Sequence, residues 1–250
     1  MSDLLDRTIE AHGGWRRWQD VSEVLVDLSA VGVRHLKGWP DAFKNARVEI
    51  EANQQHALFS PFVKPNQHGL FEGDRTVILS DEGDVIGEQQ DPLSTFAGHD
   101  LASPWNEHQL LYFAGYAMWT YLTTPFLLRM PGFKVEEDEP WEEGGEVWRR
   151  LQVEFPENIR SHSREQTFYF DDRGLLRRHD YSVEIMGGTS SANYATGYKC
   201  LDGLVFPMQR RVYRKDANNQ PILGQEVVAI DIRHIELMPG TILPPVYPRA

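Results

Sequence analysis

Twenty consecutive residues, 109–128 (QLLYFAGYAMWTYLTTPFLL), carry no charge, in a chain of 250 residues of which 25% are charged. A run this long has to leave water, so the fold must offer it a membrane, a core or the wall of a binding site. The membrane is the weakest of the three. Pro125, Gly115 and the tyrosines and threonines lower the hydropathy, no basic flank accompanies the run, and no second span exists. Ser103 as N-cap and Pro104 at the first helical position predict a helix start, and Pro125 stops the helix near Thr124. That is about 20 residues, or ~30 Å. On this helix His108, Tyr112, Gly115, Tyr116, Trp119 and Thr123 share one stripe, while Leu110, Phe113, Ala114, Ala117, Tyr121 and Leu128 fall outside it and pack on the sheet. The stripe reads either as the lining of a pocket for a small organic molecule or as an aromatic core face whose hydroxyls bond to backbone.

The remainder reads as short strands. Residues 3–12 form an amphipathic helix stopped by Gly13-Gly14. Strands follow at 21–32, 46–52 and 55–60, with a hairpin over 74–90 turning at Asp81-Glu82-Gly83. After the uncharged run come GFKVEED and EVWRRLQVEF around the acidic turn EPWEEGGE, then SHSREQTFYF, the turn DDRG and LLRRHDYSVEI. A last hairpin joins LVFPMQRRVYRKD to EVVAIDIRHIEL, and the Pro-rich tail TILPPVYPRA runs over the surface. This order implies a mostly antiparallel sheet with a helical layer on one side, an α+β arrangement that is mainly β, in a single domain 1–250 with a helical insert at about 100–130.

Net charge −12 and pI about 5.2 disfavour nucleic acid and anionic membrane surfaces as partners. The lone Cys200 forbids an internal disulfide. The N-terminus MSDLLDRTIEAHGG has no basic, apolar or small-residue signal pattern, so the chain as given is expected to be cytoplasmic.

The hairpin FDDRGLL carries the sharpest local signal. Asp-Asp-Arg-Gly fits a type I turn followed by a left-handed glycine, which sets Phe170 opposite Leu175, Phe168 opposite Arg177 and Gln166 opposite His179. One face, with Tyr169, Arg178 and Asp180, is mostly polar and expected to meet solvent. The other holds Phe168, Phe170, Leu175, Val183 and Ile185, and with them His162, Arg164, Gln166, Arg177, His179 and Tyr181. A packed core does not take two arginines and two histidines unless they are paired or wet. Either this face lines a cavity and its polar groups meet a ligand, or the strands are exposed at a rim with the arginines paired to carboxylates.

His99-Asp100 and Glu107-His108 bracket the helix start, and a His beside a carboxylate is a ready proton shuttle. Their spacing matches no metal motif, and neither GxSxG, GxGxxG nor a P-loop occurs, so neither metal nor cofactor is expected.

IEAHGGWRRWQDVSEVLVDLSA, FYFDDRGLLRRHDY and DGLVFPMQRRVY resemble segments of the bacterial lipoprotein-carrier superfamily, the LolA/LolB-like half-barrels. The resemblance implies a curved antiparallel half-barrel sheet, an N-terminal helix, a central helical cap, and a hydrophobic cavity between sheet and helices that takes acyl chains or similar ligands. The expected cavity face is more polar than an acyl carrier needs. The leading expectation is therefore a cofactor-independent lyase or isomerase acting on a small aromatic or amphipathic molecule. His179, His162, His108 and Tyr112 would be catalytic; Arg164, Arg177, Tyr181, Tyr116, Trp119, Gln166 and His99 would bind substrate. The alternative is a non-catalytic carrier for a hydrophobic or lipid-like ligand.

Overall fold

The computed structural model describes residues 3–240, apart from the Gln225 side chain; the Pro-rich tail 241–250 lies outside the described residues. Helices α1 (Asp3–Ala11) and α2 (Trp15–Gln19) open the chain. Strands β1 (Val21–Gly32), β2 (Ala46–Glu51), β3 (Ala57–Ser60), β4 (Gln67–Phe71), β5 (Arg75–Ser80) and β6 (Val85–Gln90) lead to the long helix α3 (Glu107–Thr123). Then follow β7 (Lys134–Glu143), β8 (Glu146–Glu154), β9 (Glu165–Phe170), β10 (Leu176–Val183), β11 (Thr189–Thr196), β12 (Lys199–Leu201), β13 (Leu204–Phe206), β14 (Gln209–Lys215) and β15 (Pro221–Pro239). Among the described residues, one antiparallel sheet runs β6-β5-β4-β3-β2-β1-β15-β14-β11-β10-β9-β8-β7, and β12 and β13 form a separate hairpin. The architecture is the mainly β, α+β arrangement with an N-terminal helix and a central helical cap.

Period-2 alternation explains the strands. Along β1, Val24, Val26, Leu28 and Ala30 are buried and the intervening residues are not; β2 repeats this with Ala46, Val48 and Ile50. Leu4, Leu5, Thr8 and Ile9 give α1 one buried face. Gly13, at φ +113°, ends this segment because the Gly203 carbonyl of the β12–β13 turn occupies the space a Cβ would need.

Helix α3 begins three residues later than expected. Asn106 is its N-cap: its side chain accepts from the Gln109 N–H at 2.8 Å, and the Asn106 N–H donates to Gln109 Oε1 at 3.0 Å. Ser103 is not a cap, because its hydroxyl closes a turn on the Asp100 carboxylate at 2.8 Å.

The stripe expected to line a pocket packs instead on the first half of the sheet. His108 Nδ1 meets Thr76 Oγ1 at 2.9 Å, Tyr112 stands edge-on to Phe71, and Trp119 Nε1 donates to the Glu51 carbonyl at 2.9 Å. Gly115 is what lets the helix sit this close, since a Cβ there would overlap the Phe71 ring. Alanine would gain helix propensity of about 1 kcal/mol, yet Gly115→Ala is expected to lower net stability by about 1–3 kcal/mol through overpacking, measurable as a fall in urea midpoint. A neutral or stabilised variant would show that the helix can lift off Phe71.

Candidate functional site

The opposite face of α3 is the open one. Phe113, Ala114, Ala117, Met118 and Tyr121 form one wall of a cavity of about 520 Å³. The facing wall is the sheet: Leu28 and Ala30 of β1, Val228 and Ile230 of β15, Val212 of β14, and Tyr181 and Val183 of β10. Phe43, Phe59, Leu101 and Met186 fill the sides. This volume and apolar lining fall in the range of sites for small organic ligands.

Polar groups occur at the two ends. At the inner end Tyr121 Oη lies 2.7 Å from His162 Nε2 and 2.7 Å from Tyr181 Oη, and Ser191 lies across the strand pair from Tyr181. All four are buried. The His162 ring stacks on Tyr181 with centroids 3.8 Å apart and meets Tyr116 and Phe113 edge-on. Burial lowers the His162 pKa to about 3, so its imidazole is neutral at physiological pH. Burial likewise raises Tyr121 to about 12 and Tyr181 well above its ordinary value. At the mouth stand the exposed side chains of Arg34, His35, Arg214 and Glu226.

Behind the inner end lies a second polar layer. His179 Nε2 meets Gln166 Oε1 at 2.6 Å, and Gln166 Nε2 donates to the Ser163 carbonyl at 2.7 Å. Burial, followed by the Arg210 charge, holds His179 well below its ordinary pKa. Arg210 is buried; it donates to the Tyr121 carbonyl in the last turn of α3 at 3.0 Å and stacks over the Tyr121 ring at 4.5 Å. A helix C-terminus carries partial negative charge, and this offsets part of the cost of burying the guanidinium.

The mouth is shaped by an unusual backbone. Residues 33–37 all have positive φ, at 33°, 46°, 57°, 45° and 58°. A left-handed turn costs roughly 1–2 kcal/mol per L-residue, so something must hold it. Lys37 does: its ammonium donates to the carbonyls of Asp100, Leu101 and Ser103 at 2.9, 2.9 and 3.0 Å, its own carbonyl accepts from Trp105 N–H, and Trp39 Nε1 donates to the Trp105 carbonyl at 2.8 Å. Val33 and Leu36 of this turn line the cavity.

The residues singled out from the sequence are therefore divided. His162 and Tyr181 reach the cavity; Gln166 and His179 point inward behind it. Arg164 and Arg177 do not. Arg164 precedes β9 and pairs outward with Glu154 and Glu157, and Arg177 sits at a bulge between Leu176 and Arg178 and pairs with Glu146 and Asp171. The bulge also sets Phe170 opposite Leu176 and Phe168 opposite His179, in place of the expected partners. Tyr112, Trp119 and His108 belong to the helix–sheet contact, Tyr116 packs behind His162, and His99 stands edge-on to Phe96 away from the cavity. The polar face expected to meet solvent is covered: Arg178 and Asp180 are buried beneath Glu143, Asn219 and Lys215. Tyr121, Ser191 and Arg210 were not anticipated.

Among the described residues, no helix is long and apolar enough to cross a membrane. No protein-family model and no curated protein matches the sequence. Solved structures do. A LolA superfamily protein from Nitrosomonas europaea superposes with a TM-score of 0.51 at 13% identity, over 94% of this chain and 92% of that one. An outer membrane lipoprotein-sorting domain from Vibrio parahaemolyticus gives 0.52 at 8% identity, over 97% and 93%. This is a LolA-like fold. A DUF1329 family protein from Desulfovibrio piger shares it, with a TM-score of 0.51 at 11% identity over 94% and 91%. The likeness spans the LolA-like half-barrel and its helical cap together.

Proposed function

We propose that this LolA-like protein is a binding protein or carrier for a hydrophobic or lipid-like ligand, held between the sheet and the open face of α3. The observation that carries the reading is the cavity of about 520 Å³, whose walls are aliphatic and aromatic over most of their extent. The similarity to a lipoprotein-sorting domain supports the same ligand class. The acid–base enzyme expected from the sequence has less behind it. His162 and His179 are neutral and buried, their Nε2 atoms engage Tyr121 and Gln166, and a general base near pKa 3 is poorly matched to neutral pH.

The test is binding of the neutral fluorescent dye N-phenylnaphthylamine. The wild-type protein is expected to bind it with enhanced emission. Ala117→Trp, which fills the cavity from the helix wall, is expected to weaken binding at least about tenfold with the melting temperature retained, since that loss corresponds to about 1.4 kcal/mol. No binding by the wild type, or equal binding by a folded Ala117→Trp variant, sinks the proposal.

A further inference from the structure

The inner end of the cavity holds an oriented chain of hydrogen bonds, and its direction names the ligand's buried end. Tyr121 Oη has two partners at close range, His162 Nε2 and Tyr181 Oη, each at 2.7 Å. The buried Asn193 amide acts on it as a further donor, which leaves Tyr181 as the acceptor for its own proton. His162 is neutral and so carries one N–H. Its Nδ1 is buried and has no hydrogen-bond partner. Were the proton on Nδ1, a buried N–H would be left without an acceptor, which native structures rarely tolerate. The proton therefore belongs on Nε2, an assignment made from the network. His162 Nε2–H then donates to Tyr121, Tyr121 O–H donates to Tyr181, and the Tyr181 O–H is left without an acceptor among these three. Tyr181 lines the cavity. Arg210 behind the Tyr121 ring adds positive potential on the same side.

We infer that the ligand enters oxygen first, with a carbonyl oxygen of a ketone, ester or carboxyl group accepting from Tyr181 at the inner end and its hydrocarbon chain running back toward Arg34 and Arg214 at the mouth. This rests on the binding function proposed above and specifies both the class and the orientation of what is bound. The opposite orientation, with an acidic head held by the arginines at the mouth, is the competing outcome.

The two orientations separate in a displacement titration of the same dye with dodecane, a methyl ketone and a fatty acid of matched length. The ketone and the acid are expected to bind several-fold more tightly than dodecane, as one hydrogen bond of about 0.5–1.5 kcal/mol gives. Tyr181→Phe should abolish both gains and leave dodecane unchanged, whereas Arg34→Gln and Arg214→Gln should leave the ketone gain intact. The larger of the two gains identifies whether the natural group is an uncharged carbonyl or a carboxyl. Equal binding of ketone and dodecane by the wild type overturns the inference while sparing the binding function. So does a gain that survives Tyr181→Phe and is lost with the arginine variants. Failure of dye and all three compounds to bind overturns the binding function itself.

Discussion

Between pH 7 and pH 5 the protein is expected to lose about 4 kcal/mol of stability through two buried histidines alone. Burial lowers His162 to about 3 and, despite its hydrogen bond to the Thr8 carbonyl, His12 to about 4. In the unfolded chain both titrate near 6.5. Above that value both states are neutral and pH has no hold on either residue. Below it the unfolded state takes up a proton that the folded state refuses, so stability falls as pH drops from 6.5 toward the folded values. Each histidine contributes about 2 kcal/mol to the loss by pH 5. His179, also depressed by burial, acts in the same direction. A loss of this size is a large part of the 5–15 kcal/mol typical of a domain. Urea unfolding at pH 7, 6 and 5 measures it, and His162→Gln should reduce the slope by about one proton. A free energy of unfolding that is flat over this interval would contradict the neutral burial of these rings.

Arg178→Ala is expected to destabilise the fold by about 3–5 kcal/mol, the cost of leaving a buried ion pair half-made. The guanidinium is fully buried. It donates to both Asp180 oxygens at 2.6 and 2.7 Å, to Glu143 at 2.6 Å and to the Asn219 carbonyl at 2.8 Å. Its carbon lies 4.9 Å from the Tyr169 ring centroid and 5.6 Å from that of Trp141. Burial is the largest single influence and works against the charge, but the hydrogen bonds to Asp180 and its negative charge together outweigh it and raise the pKa. Without Arg178, Asp180 retains Lys215 at 2.8 Å, and Glu143 loses its buried cation. The double variant Arg178→Met with Asp180→Leu should recover part of the loss, because it removes the Asp180 charge, while Glu143 keeps the Trp141 and Tyr194 donors and Lys215 gives up its partner. Thermal unfolding of the single and double variants compares them. A double variant no more stable than Arg178→Ala would mean that the cluster contributes packing rather than charge balance.

Much of the fold was legible because its strands alternate cleanly. β1 was placed at 21–32 from VSEVLVDLSAVG, whose apolar residues recur every second position, and the structure has the same limits. The cavity-facing side of α3 was not legible. The helix is buried almost all round, so polar tips on one stripe do not tell which side meets a void and which meets a sheet. Arg177 was placed inside because a bulge does not show in the alternation of LLRRHDY. The cover over Arg178 comes from Glu143 and Asn219, remote in sequence, and no local pattern announces it. Arg210 could have been found: Met208, Arg210 and Val212 share one buried face, so the strand rule alone marks Arg210 as a cation at a core position.

The position of β15 has a consequence in time. It pairs with β1 from Val21–Pro239 to Gly32–Val228, joining, among the described residues, the earliest strand in the sequence to the latest in the middle of the sheet. Chains emerge N-terminus first at about 5–20 residues per second, and contacts this remote in sequence form late. Until β15 is synthesised, the nascent chain carries two unfinished half-sheets, one ending at β1 and the other at β14, each with a bare edge of the kind that recruits other strands. Because the cavity takes walls from β1, β14 and β15, the nascent protein has no pocket to fill until the last strand arrives.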